Sequence, residues 1–218
     1  MASGPAANRP PHIAFDFLSA MDVSRMLKKL IAATLYTALS LGAIPASGAD
    51  LERAAALRED SLQKLSFHDT PKPVSDVVFT DPEGGEHRLS DHSGKLVLLN
   101  FWATWCAPCR KEMPELDALQ TAYGAEGLEV LTVATGRNPL PAIRKFYDET
   151  DLTALPVLLD PQSALARDMA VLGLPVTVLI DPEGQEIARM TGDAEWFSSS
   201  AKALTEELLR QYGLASAP

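Results

Sequence analysis

The segment Lys95-Leu-Val-Leu-Leu-Asn-Phe-Trp-Ala103 runs almost without a polar residue into Thr104-Trp-Cys-Ala-Pro-Cys109, and a helix-like run follows at once. A strand this continuously apolar cannot keep one face in water; it reads as a central strand covered on both sides. The chain must therefore build layers around it, with a cysteine pair between the end of a buried strand and the start of a helix. Cys106 and Cys109 are the only cysteines among 218 residues. Two cysteines cannot make a disulfide scaffold, so the fold stands on hydrophobic packing, and the length suits one well-buried core.

The rest of the pattern supplies those layers. Leu51, Ala54, Ala55, Leu57, Leu62 and Leu65 recur at helical spacing among charges, which predicts an amphipathic helix over 51–65 that Pro71 and Pro73 end. Val77–Phe79 and His87–Leu89 flank Asp81-Pro-Glu-Gly-Gly85, a strand–turn–strand signal. Helices are predicted over 108–123, 140–147, 162–170 and 195–212, and strands over 128–134, 157–159, 175–180 and 185–190. Pro114 falls inside the first of these helices and predicts a kink. Buried strands alternating with amphipathic helices predict one three-layer α/β domain, and the closing hairpin around Asp181-Pro-Glu-Gly184 makes its sheet mixed.

The net charge is −10. Residues 1–49 hold Arg9, Arg25, Lys28 and Lys29 against Asp16 and Asp22, so the remainder carries −12. An acidic body without a basic stripe argues against nucleic acid as a partner. Residues 1–24 read as a tail, with Met21 and Met26 as alternative starts. Arg25, Lys28 and Lys29 then precede an uncharged stretch, Leu30 to Ala49, that ends in small residues. Basic residues, an apolar centre and a small-residue cleavage site after Ala49 make an export signal. The same length also suits a retained membrane anchor, with residues 50 onward translocated. Both forms place the cysteines outside the cytoplasm, where disulfides form and persist.

A helix beginning at Cys106 or Ala107 presents unpaired N–H groups and the positive end of its dipole to the first sulfur. Both favour thiolate over thiol, and CxxC thiols in such positions have pKa values of roughly 3.5–7.5 against about 8.5 for a free cysteine. Cys106 is the expected nucleophile. Cys109, one turn on, can attack back to release a mixed disulfide. Pro108 fits the first turn, where its missing N–H costs nothing. Trp102 and Trp105 supply apolar shielding and a contact face, with Trp102 equally suited to the core; Arg110 and Lys111 read first as solvated helix residues, with added positive potential at the pair as the alternative. Two other readings of the pair are open. Half of a tetrahedral metal site would need further ligands, and His12, His68, His87 and His92 lack motif spacing to the pair. A structural staple would close a very short loop in a chain that needs none.

These residues resemble the thioredoxin-like superfamily, and in particular its exported TlpA/ResA-type branch. The match is carried by Leu99-Asn-Phe-Trp-Ala-Thr-Trp-Cys-Ala-Pro-Cys109 with Arg110 to Pro114, and by Gly173-Leu-Pro-Val-Thr-Val-Leu-Ile-Asp-Pro-Glu-Gly184. The resemblance implies a thioredoxin fold over 72–213, with a central insertion, a helical extension over 50–71 and the tail-plus-leader over 1–49. It implies that Pro175 is a cis-proline facing the disulfide, preceded by Leu174 on an apolar rim. Trp105, Pro108, Leu174 and Pro175 would then form the substrate groove, and Asn100, Trp102 and Glu112 would tune the pair. A strand-start proline with no catalytic role is the plainer reading of Pro175.

Asn100 departs from the pattern, since thioredoxins carry a buried aspartate there. Asparagine does not titrate near neutrality, so proton removal from Cys109 falls to water, or to another carboxylate such as Glu112, with water preferred. The family also implies a protein disulfide reductase without a cofactor. A membrane thiol donor keeps it reduced, and its partners are apocytochrome c or the copper-assembly factors of respiratory oxidase. Two alternatives stand beside this: a non-enzymatic chaperone for copper-bearing or cysteine-bearing proteins, and a reductase of small oxidants such as peroxide.

Overall fold

The computed structural model describes residues 48–214, together with Met1; the tail and the leader expected ahead of residue 48 lie outside the described residues. Among the described residues no helix is long and apolar enough to cross a membrane. Eight strands of the described residues form one mixed sheet: β1 (Ser66–Pro73), β2 (Phe79–Thr80), β3 (Glu86–His87), β4 (Leu96–Trp102), β5 (Leu128–Thr135), β6 (Leu158–Asp160), β7 (Val176–Ile180) and β8 (Gln185–Thr191). Their order is β1-β8-β7-β4-β5-β6-β2-β3. β4 pairs in parallel with β5 and antiparallel with β7, so the apolar run predicted to be central has a neighbour on each edge and all seven residues buried.

Among the described residues five α-helices accompany the sheet: α1 (Gly48–Ala56), α2 (Ala107–Tyr123), α3 (Leu140–Glu149), α4 (Ala164–Asp168) and α5 (Ser199–Gln211). Alternation along β4 divides the core into two layers. Leu96, Leu98 and Trp102 point into a cluster shared with α1, α2, α3 and α5, including Met113, Leu116, Ile143, Leu204 and Leu208. Val97, Leu99 and Phe101 point the other way, against Phe79, Leu89 and the α4 residues Leu165 and Ala166. β6 and α4 form an insertion between α3 and β7. Through β6 the sheet continues to the β2–β3 hairpin.

The same tetrapeptide, Asp-Pro-Glu-Gly, closes both hairpins, and it does so in the same way. Asp81 Oδ1 accepts the N–H groups of Glu83 and Gly85, and Asp181 Oδ1 accepts those of Glu183 and Gln185. Gly84 and Gly184 have φ of 88° and 76°, the left-handed region that an L side chain resists.

Three local expectations change. The helix predicted over 51–65 ends at Ala56, and a 3-10 turn takes Asp60–Lys64. The reason is a long-range clasp: Ser200 Oγ donates to Leu57 O and accepts from Glu59 N, drawing the chain onto α5. Pro71 and Pro73 end no helix; they lie in β1, an exposed edge strand where a missing N–H is tolerated. The last helix starts at Ser199 and not near Glu195. Ser198 Oγ accepts the Ala201 N–H as its cap, and Trp196 ahead of it turns inward, 1% exposed. Across Pro114, α2 continues without interruption.

Candidate active site

The carboxyl end of β4 delivers the chain through Ala103–Trp105 to Cys106, which serves as the N-cap of α2. Cys106 and Cys109 are joined in a disulfide with Cα atoms 5.3 Å apart. The two sulfurs differ in surroundings: Cys106 is 6% exposed and Cys109 is 0% exposed. The Cys109 N–H donates to Cys106 Sγ at 3.3 Å, so an orphan donor of the first turn points at the outer sulfur. Pro108 lies exposed in that turn, as predicted.

β7 runs antiparallel beside β4 with Val176 opposite Phe101, so the residues before β7 meet the end of β4. There the Leu174–Pro175 peptide bond is cis. Pro175 is buried, and Leu174, half-buried, packs against both core clusters. Trp105 is 68% exposed beside the disulfide, whereas Trp102 is 1% exposed and packed, with tilted rings, against Phe146 and Tyr147 at centroid distances of 5.6 and 6.1 Å. Trp102 is thus a core residue under the site, and Trp105 belongs to its surface.

Behind Cys109 is a buried polar assembly. Asn100, 0% exposed, donates through Nδ2 to Glu112 Oε1 at 2.9 Å and to Thr177 Oγ1 at 3.0 Å. Glu112 Oε2 accepts the Trp196 indole N–H at 3.0 Å and the Ala194 N–H at 3.2 Å. Glu112 follows Cys109 by three residues on α2, so both lie on the inward face of the helix. Burial pushes the Glu112 carboxyl up to about 7, and the hydrogen bonds from Asn100, Trp196 and Ala194 offset only part of that cost. A buried carboxyl that titrates near neutrality can take up or return a proton at working pH.

Sequence reasoning reached Asn100 and Glu112 but missed Thr177, Ala194 and Trp196. Thr132 and Thr177 stand directly opposite Asn100 on the two neighbouring strands. A polar residue inside each of three apolar runs was the available signal. Nothing local marks Trp196, which comes from a distant loop. Among the described residues, no group of three or more His, Cys, Asp or Glu side chains is arranged to hold a metal ion.

A mixed sheet, a CxxC disulfide capping a helix and a cis-proline at the facing strand define the thioredoxin-like class of redox proteins. Comparison with known proteins narrows the class. Residues 71–188 match the AhpC/TSA family. The thiol-disulfide oxidoreductase ResA of Geobacillus kaustophilus is 44% identical over 117 residues, covering 54% of this chain and 66% of that protein. The ResA of Bacillus subtilis is 31% identical over 186 residues, covering 85% of this chain and 94% of that one. The exposed lipoprotein thioredoxin of Streptococcus pneumoniae superposes with a TM-score of 0.52 at 32% identity, covering 61% of this chain and 99% of its own. The chain belongs to the AhpC/TSA family and is related to the ResA-type thiol-disulfide oxidoreductases; it spans just under two thirds of the length of the Geobacillus protein.

Proposed function

We propose that the protein reduces disulfides of exported polypeptides, with Cys106 as nucleophile, Cys109 as resolving thiol and Glu112 as the proton acceptor for Cys109. The observation that carries this reading is the asymmetry of the pair: one sulfur at the solvent edge under a helix N-terminus, the other sealed beside a carboxyl that titrates near 7. In the reduced protein, the Cys106 thiolate attacks one sulfur of the partner's disulfide. A mixed disulfide forms and the partner's other sulfur leaves as a thiolate. Cys109 then gives its proton to Glu112 and attacks Cys106 Sγ, which expels the second partner thiolate. Two electrons pass to the partner, whose two thiolates take their protons from solvent; the Cys109 proton stays on Glu112 until water removes it, and the pair is left as the disulfide. Water, the acceptor preferred from sequence, has less to recommend it at a cysteine that is 0% exposed.

Pro175 with Leu174, Trp105 and Pro108 makes the groove along which a substrate strand lies. The substrates this reading favours are the haem-attachment cysteines of apocytochrome c or copper-site cysteines of oxidase assembly factors. A membrane dithiol carrier returns the electrons. The compartment is the periplasm, reached through the N-terminal segment acting as a cleaved signal or as an inner-membrane anchor.

Trapping tests the scheme. Expressed in the exported compartment, Cys109→Ala should accumulate mixed disulfides through Cys106, and mass spectrometry of those adducts names the partner. If no polypeptide is trapped while the wild-type pair still cycles, the oxidant is a small molecule such as peroxide. Retained partner binding by the Cys106→Ser, Cys109→Ser double variant, with tight Cu(I) binding by the reduced wild type, would support a chaperone instead.

A further inference from the structure

The groove along the cis-proline accounts for one side of the disulfide. Sheet order puts something else on the other side, because β4 lies between β7 and β5, and β5 leads into α3. There a cavity of about 320 Å3 opens between the start of α2 and α3, lined by Thr104, Trp105, Arg110, Lys145, Phe146 and Glu149. Its walls are fixed. Asn138 Oδ1 accepts both the Thr104 N–H and the Thr104 hydroxyl, at 2.8 and 3.0 Å, and Asn138 Nδ2 donates to Thr135 O. Phe146 is 4% exposed and anchored in the core.

The polar groups of this cavity suit an anion. The Arg110 guanidinium lies over the Phe146 ring, its carbon 4.9 Å from the centroid. A guanidinium held over a ring by its charge does not spend its N–H donors on that contact, and those donors can take a carboxylate through two bonds. Lys145 is paired with Glu149 at 3.7 Å, with side chains 74% and 56% exposed, a contact too wet to hold the ammonium firmly. Counting Glu149, the cavity carries one net positive charge, in a chain of net charge −10. Trp105 and Phe146 offer apolar walls to the methylene groups of a long side chain.

On the cis-proline side the rim is different in kind. Leu172 is 100% exposed, three residues before Pro175. With Trp105 at 68% it is one of the few large apolar side chains left in water among the described residues, and the two stand in the two loops that border the disulfide.

We propose that the cavity between α2 and α3 is a specificity subsite for a carboxylate side chain next to the substrate's reactive cysteine, while Leu172 receives an apolar side chain on the other flank. This rests on the polypeptide-disulfide reading above and deepens it. The preferred substrate is an extended segment whose cysteine has an acidic residue on one side and an apolar residue on the other.

Disulfide-bridged peptides that differ only at those flanks test the idea, with kcat/KM expressed relative to hydroxyethyl disulfide for each variant. Wild-type protein should prefer a peptide with Glu and Leu flanks over one with Lys and Ser by about tenfold or more, and added salt should shrink the preference. Lys145→Glu should abolish or reverse it, Lys145→Gln should reduce it, and Leu172→Ser should slow only the Leu-flanked peptide. Equal rates for the two peptides with wild type, or an unchanged preference in Lys145→Glu, would overturn the subsite while leaving polypeptide reduction intact. Reduction of hydroxyethyl disulfide but of neither peptide would overturn both.

Discussion

Glu112 is the residue on which stability and chemistry meet. Its carboxyl is raised from 4.5 to about 7 by burial, so the folded state holds a proton that the unfolded chain releases at lower pH. The folded state therefore binds more protons between about pH 4.5 and 7, and unfolding free energy falls as pH rises through that window. The full effect of such a shift is about 3 kcal/mol. Glu112→Gln should flatten this part of the pH–stability curve relative to wild type. In single-turnover experiments it should also slow the resolution of a mixed disulfide by Cys109 more than attack by Cys106. If the variant kept the slope, or slowed both steps equally, Glu112 would be a packing residue only. Asn100→Asp would set a second buried carboxyl within hydrogen-bond distance of the first, at the position now 2.9 Å from Oε1. The two would share a proton, and the variant should lose stability steeply above neutral pH, as read by chemical denaturation.

At the scale of elements, the helices and the edge strand are held by particular polar contacts. The Ser198 hydroxyl caps α5, and Ser198→Ala should cost about 1 kcal/mol in thermal unfolding without altering the redox potential of the pair. β1 is attached to β8 across a bulge, and the Glu186 carboxylate fastens the junction. It accepts His68 at 2.8 Å and two bonds from Arg189 at 2.8 and 2.6 Å. Burial alone would push Glu186 up, but Arg189 and His68 outweigh it and hold the carboxyl below its usual value. A lowered carboxylate contributes stability above the unfolded pKa and loses it as pH falls. Hydrogen exchange should therefore show β1 detaching below about pH 4.5 before the central strands open. Glu186→Gln should bring that detachment to neutral pH. The sequence predicted most of these elements because apolar spacing and turn chemistry agree along the chain. It failed over 57–73, where a hydroxyl 143 residues away from Leu57 sets the chain's path.

For the molecule as a whole, the potential of the pair sets the direction of electron flow. A protein that reduces exported disulfides must be well below the periplasmic oxidant DsbA, at about −120 mV. Equilibration with glutathione or dithiothreitol buffers should give a much more negative potential, and a value near that of DsbA would reverse the proposed direction. Cys106, Cys109 and the Pro175 loop were legible as sequence, because each is a short pattern with its own chemistry. Asn100 and Glu112 were legible as residues, but their bond to one another was not.

Sequence alone determined the central strand, the placement of the cysteine pair at a helix start, and the two Asp-Pro-Glu-Gly turns, since these depend on residues within a few positions of each other. Only the tertiary structure decided which sulfur is sealed, what neighbours Glu112, and what lies beyond Trp105. Those depend on burial and on contacts such as Trp196 with Glu112, between residues 84 positions apart. A carboxyl's protonation follows from the water it has lost, and that loss is a property of the packed chain.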